Sequence, residues 1–156
     1  MTRPLGILGV GPGLALVTLP ALAAAVAATA LRHDAVRFPL PRALTVAAGV
    51  ALAACGGALY AGTVPRLLRD FHAGRLAREG TYAWCRHPLY ASVIVFLVPA
   101  AGLLADAWPV SAVGLVMYAG FKALIGREDR ALDAQFGDDF RRYVAEVNEL
   151  LPRPPR

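Results

Sequence analysis

Apolar residues fill four blocks of the chain. They run from Leu5 to Leu31, Ala43 to Val64, Pro88 to Leu104 and Trp108 to Ile125, and Lys122 is the one charged side chain within them. About 20 apolar residues let a helix cross a bilayer, so the pattern predicts an all-α integral membrane bundle of about four transmembrane helices. The third block is the shortest, but Pro88 suits the first turn of a helix. Pro20, Pro65 and Pro99 are expected to kink or end helices, which membrane bundles tolerate. Gly49, Gly56 and Gly57 on the second block, and Gly114 and Gly120 on the fourth, mark faces where helices can approach closely. Beyond Ile125 the pattern changes. Leu132, Phe136, Phe140, Tyr143, Val144 and Val147 recur at helical spacing with charges between them. This predicts a C-terminal amphipathic cytoplasmic helix over Arg127 to Val147, broken near Gly137, that lies on the membrane or folds over the bundle. Pro152, Pro154 and Pro155 are expected to end the order.

Composition sharpens the membrane assignment. Of 156 residues, 57% are hydrophobic and 17% charged, against about 25% charged in a soluble domain. The length suits one domain over 1–156, with two N-terminal transmembrane helices in 1–64 and the remainder in 65–156. The net charge of +5 raises nucleic-acid binding, but the arginines flank apolar blocks and form no single stripe. They follow the positive-inside bias instead. Arg66, Arg69, Arg75, Arg78 and Arg86 fall in one polar stretch. Arg127, Arg130, Arg141, Arg142, Arg153 and Arg156 fall in another, and both are expected to be cytoplasmic. The turn Ala105 to Pro109 carries only Asp106 and is expected outside. Arg32, Arg37 and Arg42 in the first loop run against the bias. The first apolar run exceeds the roughly 7 to 15 residues of a signal core, so a retained helix is expected after Arg3. Ala- and Arg-rich, Lys-poor composition points to a GC-rich bacterial genome, hence to a bacterial cytoplasmic (inner) membrane.

Cys55 and Cys85 make neither a disulfide framework nor a zinc site, and no metal site is expected. Cys55, inside an apolar run, reads as a small buried residue. Cys85 has Arg86 and His87 beside it, which could lower its pKa and leave a thiol enzyme as one reading. Gly9-Val10-Gly11-Pro12-Gly13 resembles a dinucleotide loop only superficially, because no strand precedes it, and reads as a helix segment.

Polar groups against a membrane segment are costly and call for a function. Three sets converge at the cytoplasmic end: Tyr82, Arg86, His87 and Tyr90; Glu128 and Asp129; and the loop Gly74-Arg75-Leu76-Ala77. The short outer turn makes the third and fourth blocks antiparallel neighbours, so Arg86 and His87 can meet Glu128 and Asp129. A plain alternative is a topological anchor with satisfied charges, and for Arg86 a side chain snorkelling to lipid phosphates.

The run Gly80-x-Tyr82-Ala83-Trp84-x-Arg86-His87-Pro88-x-Tyr90 resembles the signature of the isoprenylcysteine carboxyl methyltransferase family of membrane enzymes. A second block resembles it too: Glu128-Asp129, Leu132, Phe136-Gly137, Phe140, Tyr143 and Pro152. The likeness covers about Gly74 to Pro152; the first two spans are alike in hydropathy alone. It implies S-adenosylmethionine as cofactor. Tyr82, His87, Pro88, Leu89, Tyr90 and Glu128 would hold it, with Gly74, Arg75, Leu76 and Ala77 joining. Aromatic rings can face its cationic part and Glu128 its ammonium or ribose hydroxyls. The sequence departs from the family pattern at Ser92, where Gly is usual, and at Asp129, which replaces a second Glu. It departs also at Leu124, which stands where enzymes for prenylated substrates carry a substrate-binding Arg. Lys122 and Arg127 lie close by on the helix, though neither aligns.

The expected function is methyl transfer to a lipophilic small molecule or lipid, a carboxylate, amine or thiol, arriving from the bilayer. Arg86 and Glu128 are the candidate catalytic residues, and Arg86 and Arg127 the candidate substrate contacts. Because the leaving group of such a donor is already activated, the protein has chiefly to align the reactants. A non-catalytic small membrane subunit or carrier is the rival reading.

Overall fold

The computed structural model describes residues 9–153, all helix and loop with no strand among them. Leu5, Arg3, Pro154, Pro155 and Arg156 lie outside the described residues. The helices are α1 (Gly11–Leu31), α2 (Arg42–His72), α3 (Pro88–Leu104), α4 (Trp108–Phe136) and α5 (Asp138–Glu146). Helices α1, α2 and α4 are long and apolar enough to cross a membrane, and α3 is a shorter apolar helix.

Three boundaries differ from the sequence expectation. Helix α1 begins at Gly11, after a turn at Gly9 and Val10 that the apolar pattern places inside the first span. Helix α2 continues through Pro65 to His72, because a proline removes one backbone donor without preventing the next turns from forming. Helix α4 runs on to Phe136. The expected amphipathic tail is therefore two pieces, the last turns of α4 and the short α5. The break at Gly137 is as expected: its φ of 53° and ψ of −124° suit glycine and little else. Helix α5 buries Phe140 and Tyr143 and exposes Arg141 and Arg142. Within α3, Ser92–Leu97 is wound as a π-helix, and Pro99, which has no N–H to donate, follows two residues on.

The helices pack in the order α1, α4, α3, α2. Small residues set each seam. Gly120 admits Leu14 and Val17 of α1, Gly114 admits the Ile94 carbonyl, and Gly102 lies against Ser111. Gly49 faces Leu104 and Gly56 faces Phe96 and Leu97, whereas Gly57 faces open space and belongs to no seam. Cys55 is likewise exposed and not in the core. The reason is rotational, since residues next to Gly56 are turned about 100° away from the α3 seam at 3.6 residues per turn.

The bundle end opposite His87 is built around Asp106. The end of α3 is a Schellman motif: Ala107 N–H donates to Gly102 O at 2.9 Å and Asp106 N–H to Leu103 O at 3.2 Å. Asp106 takes the left-handed position, with φ 53°. Its carboxylate accepts from Arg37 Nε at 2.8 Å and Phe38 N–H at 3.3 Å. Arg42 donates to Leu103 O at 3.0 Å and Leu104 O at 2.6 Å. Two of the arginines that offend the charge bias are thus held by α3's own exposed end.

Candidate active site

His87 precedes Pro88, the first residue of α3. Proline here fixes the helical φ and removes an N–H that would have no partner. The His87 ring turns inward, 5% exposed, and stands edge-on to Phe121 at 5.5 Å. Glu128 and Asp129 arrive from α4, about 30 Å along that helix from Trp108 at ~1.5 Å per residue. His87 lies between them, with Nδ1 3.8 Å from Glu128 Oε1 and Nε2 3.4 Å from Asp129 Oδ1. Arg86 Nη1 donates to Asp129 Oδ2 at 3.3 Å.

Two further donors reach Glu128 Oε2: Tyr90 Oη at 3.3 Å and the Val10 N–H at 3.1 Å. Val10 is the cap residue of α1, so the carboxylate faces the positive end of that helix. Gly9, with φ 49°, makes the turn, and any side chain there would collide with Glu128 and Tyr90. The glycine run at the N-terminus, read as ordinary helix, thus closes one side of the cluster.

The cluster is not internally satisfied. Arg86 Nε, His87 Nε2 and Asp129 Oδ1 are buried without a hydrogen-bond partner; the His87–Asp129 approach is close but poorly aligned. Buried polar groups are normally paired, and an orphaned one costs about 1–3 kcal/mol. Two donor-bearing groups and a carboxylate oxygen left over suit a polar ligand carrying both charges. The Arg86 side chain is 11% exposed, which removes the reading of an anchor stretched toward lipid phosphates.

The other expected residues are placed as follows. Tyr82, in a 3-10 turn at Gly80–Ala83, is buried, and burial with the nearby Glu128 charge holds its hydroxyl protonated above the ordinary tyrosine value. Pro88 is fully buried; Leu89 is half-buried, and its carbonyl accepts from Ser92 Oγ at 2.7 Å. Gly74 and Arg75 cap α2 in a second Schellman motif: Arg75 N–H donates to Asp70 O and Gly74 N–H to Phe71 O. Gly74 has the φ of 63° that this position needs. Leu76 and Ala77 are half-buried. Among the described residues, no hydrogen bond or ion pair joins 74–77 to the His87–Glu128 cluster. Arg127 is exposed and stands apart from it as well. Leu124 packs toward Gly13 of α1, so the position of the family's arginine is a helix contact here. Cys85 is fully buried, and burial pushes its thiol up to about 11, which removes the thiolate that a Cys85 nucleophile would need.

Sequence reasoning missed the C-terminal strap, residues 147–153, and expected order to end at Pro152. The strap pairs with the motif backbone instead. Arg86 N–H donates to Asn148 O at 2.8 Å, His87 N–H to Glu149 O at 3.1 Å, and Arg153 N–H to Trp84 O at 2.9 Å. Tyr143 Oη donates to Tyr82 O at 2.7 Å. Glu149 also accepts from Lys122 Nζ at 2.7 Å and stands 4.0 Å from Arg86 Nη2. The signal that could have found this was Lys122 itself, a lone cation in an apolar block.

The long apolar helices and a polar cluster at one bundle end define an integral membrane protein with a buried site at one end. Residues 63–134, a little under half of the chain, match the model of the isoprenylcysteine carboxyl methyltransferase family. The resemblance carried by the two motif blocks is thus borne out over that stretch, which contains the first block and the acidic pair, and it supports a membrane methyltransferase. A search of curated proteins gives no match.

Proposed function

We propose that the chain is an S-adenosylmethionine-dependent methyltransferase of the bacterial inner membrane that modifies a lipophilic acceptor. In this reading α3 makes a fourth crossing and the His87 end faces the cytoplasm. The observation that carries it is the meeting of buried His87 with half-buried Arg86, Glu128 and Asp129 in one group, three of whose buried polar atoms have no partner.

When bound, S-adenosylmethionine supplies an electrophilic methyl group on a sulfonium. Glu128 and Asp129 would offer carboxylate oxygens to the cofactor's ammonium or ribose hydroxyls, and Tyr82 and Tyr90 would offer rings to its flat and cationic parts. His87 holds its orientation through Phe121 and the two acids. Arg86, fixed by Asp129 and the strap, orients an anionic acceptor with its remaining donors. The Gly9–Val10 turn and the strap pack against the cluster from two sides, so its charges are less screened than in open water.

The test is titration of S-adenosylhomocysteine into detergent-solubilised protein. Wild type is expected to bind saturably. Glu128→Ala and His87→Ala are expected to weaken binding about 100-fold, since each leaves buried charges uncompensated, and Tyr90→Phe only about 5-fold. A non-catalytic carrier would show no saturable binding in any of the four. Wild-type affinity in both alanine variants would displace the site.

A further inference from the structure

We propose that the turn Gly9–Val10 is a positioning element of the site: it fixes one oxygen of Glu128, so that the other, Oε1, is the one presented to the ligand. The inference rests on the methyltransferase reading and adds to its site a segment that lies outside both motif blocks.

Register along the α1–α4 seam sets the contact. Gly120, Leu124 and Glu128 recur every four residues on α4 and so share one face. Gly120 admits Leu14 and Val17, Leu124 meets Gly13, and Glu128 meets Gly9 and Val10. Residue numbers fall along α1 as they rise along α4, so the helices are antiparallel and their rungs stay in step. Val10 and Leu14 are buried in the same apolar cluster as Phe121 and Ile125. The apolar rungs therefore deliver the turn to Glu128, and Leu124 is the middle rung.

At the last rung the two oxygens of Glu128 differ. Oε2 accepts from the Val10 N–H at 3.1 Å and from Tyr90 Oη at 3.3 Å. Among the described residues no hydrogen bond reaches Oε1, and His87 Nδ1 stands 3.8 Å from it, beyond hydrogen-bond distance. The same imidazole is buried, with Nε2 unpartnered. One oxygen is thus held by two donors, while its twin faces a second group with unused capacity. A carboxylate oriented before the ligand arrives loses less freedom on binding. Only glycine suits position 9: its φ of 49° is left-handed, and an added Cβ would collide with Glu128 and lie 3.0 Å from Tyr90 Oη.

The experiment titrates S-adenosylhomocysteine into the detergent-solubilised full chain and records the melting temperature of each protein without ligand. Gly9→Ala displaces the carboxylate and is expected to weaken binding about 10-fold, the effect of one charge-assisted contact. Gly9→Asn brings the same Cβ against Glu128 with less backbone strain and is expected to act alike. Leu14→Ala loosens the seam one turn away without touching Glu128. It is expected to lower the melting temperature at least as far and to leave affinity within about 2-fold. In a Glu128→Ala background, Gly9→Ala has no carboxylate to displace. There it is expected to change affinity by less than about 2-fold and to lower the melting temperature less than it does in wild type. Equal loss of affinity in Leu14→Ala and Gly9→Ala would overturn the inference, because it marks a general loosening of α1. So would an undiminished effect of Gly9→Ala without Glu128. Absence of saturable binding by the wild type sinks the methyltransferase reading instead. The melting temperatures then still decide the geometry, since additive effects of Gly9→Ala and Glu128→Ala would mean that turn and carboxylate are uncoupled.

Discussion

At the scale of single residues, what decides function is whether a reactive group is presented or buried. Cys85 stands between Trp84 and Arg86, and the neighbouring charges suggest an activated thiol. Burial wins. With no exposed surface and a pKa of about 11, its thiol is neutral throughout the physiological range. Iodoacetamide is therefore expected to label Cys85 slowly at pH 7 and faster by about 10-fold per pH unit until the pKa is approached, because thiolate is the attacking species. Cys85→Ala should keep full S-adenosylhomocysteine affinity. Fast labelling at pH 7, followed by mass spectrometry of the alkylated peptide, would reverse the assignment. The residues whose meeting was legible in the sequence were those whose neighbours along the chain already marked their place in the fold. His87 sits before a helix-starting proline, and Glu128 and Asp129 end an apolar run. Lys122, a lone cation in an apolar block, signalled that a partner was needed, but its identity as Glu149 was not legible, because it depends on where the strap returns. Val10 was missed for a related reason: a backbone N–H has no side-chain signature.

At the scale of elements, the apolar runs located α1 to α4, and the errors fell where polarity and helicity part company. The chain of α2 past Pro65 and of α4 past Ile125 is polar but still helical, so hydropathy marks where lipid contact ends and not where the helix ends. The cap at Asp106 shows the converse, a structure set by one charged residue in a turn. Arg37 first, then Phe38 N–H, holds the Asp106 carboxyl below its ordinary value. A carboxyl with a depressed pKa contributes stability that is present above the unfolded-state value and is lost as pH falls through the folded one. Thermal unfolding in detergent is expected to show wild type losing stability as pH drops below the ordinary carboxylate range. Asp106→Asn should start with a lower melting temperature at pH 7 and show less of this acid dependence. Asparagine tolerates the left-handed backbone position, so the comparison isolates the charge. Identical acid profiles for the two proteins would mean that the Arg37 pair is too solvent-screened to matter, as many exposed pairs are.

At the scale of the whole molecule, the helix order places the α1 start, the α2 end, the α3 start and the α4 end together, so the polar cluster and the strap share one end. The proposed cytoplasmic placement of that end rests on the positive-inside bias, since Arg66, Arg69, Arg75, Arg78, Arg127, Arg130, Arg141 and Arg142 all belong to it. The opposing charges, Arg32, Arg37 and Arg42, weaken the bias less than their number suggests. Arg37 is paired with Asp106, and Arg42 is spent on the last carbonyls of α3. A protein with Cys55→Ala and Cys85→Ala, carrying either Asp34→Cys or Gln135→Cys, makes the orientation measurable. Asp34 and Gln135 are both exposed and belong to opposite ends. A membrane-impermeant maleimide is expected to label position 34 on intact spheroplasts, and position 135 only in inverted vesicles. If α3 turns back without crossing, both positions label from the same side. If the three arginines of the first loop govern orientation, the pattern inverts. In that case the cluster faces away from the cytoplasmic supply of S-adenosylmethionine, and the methyltransferase reading loses its cofactor.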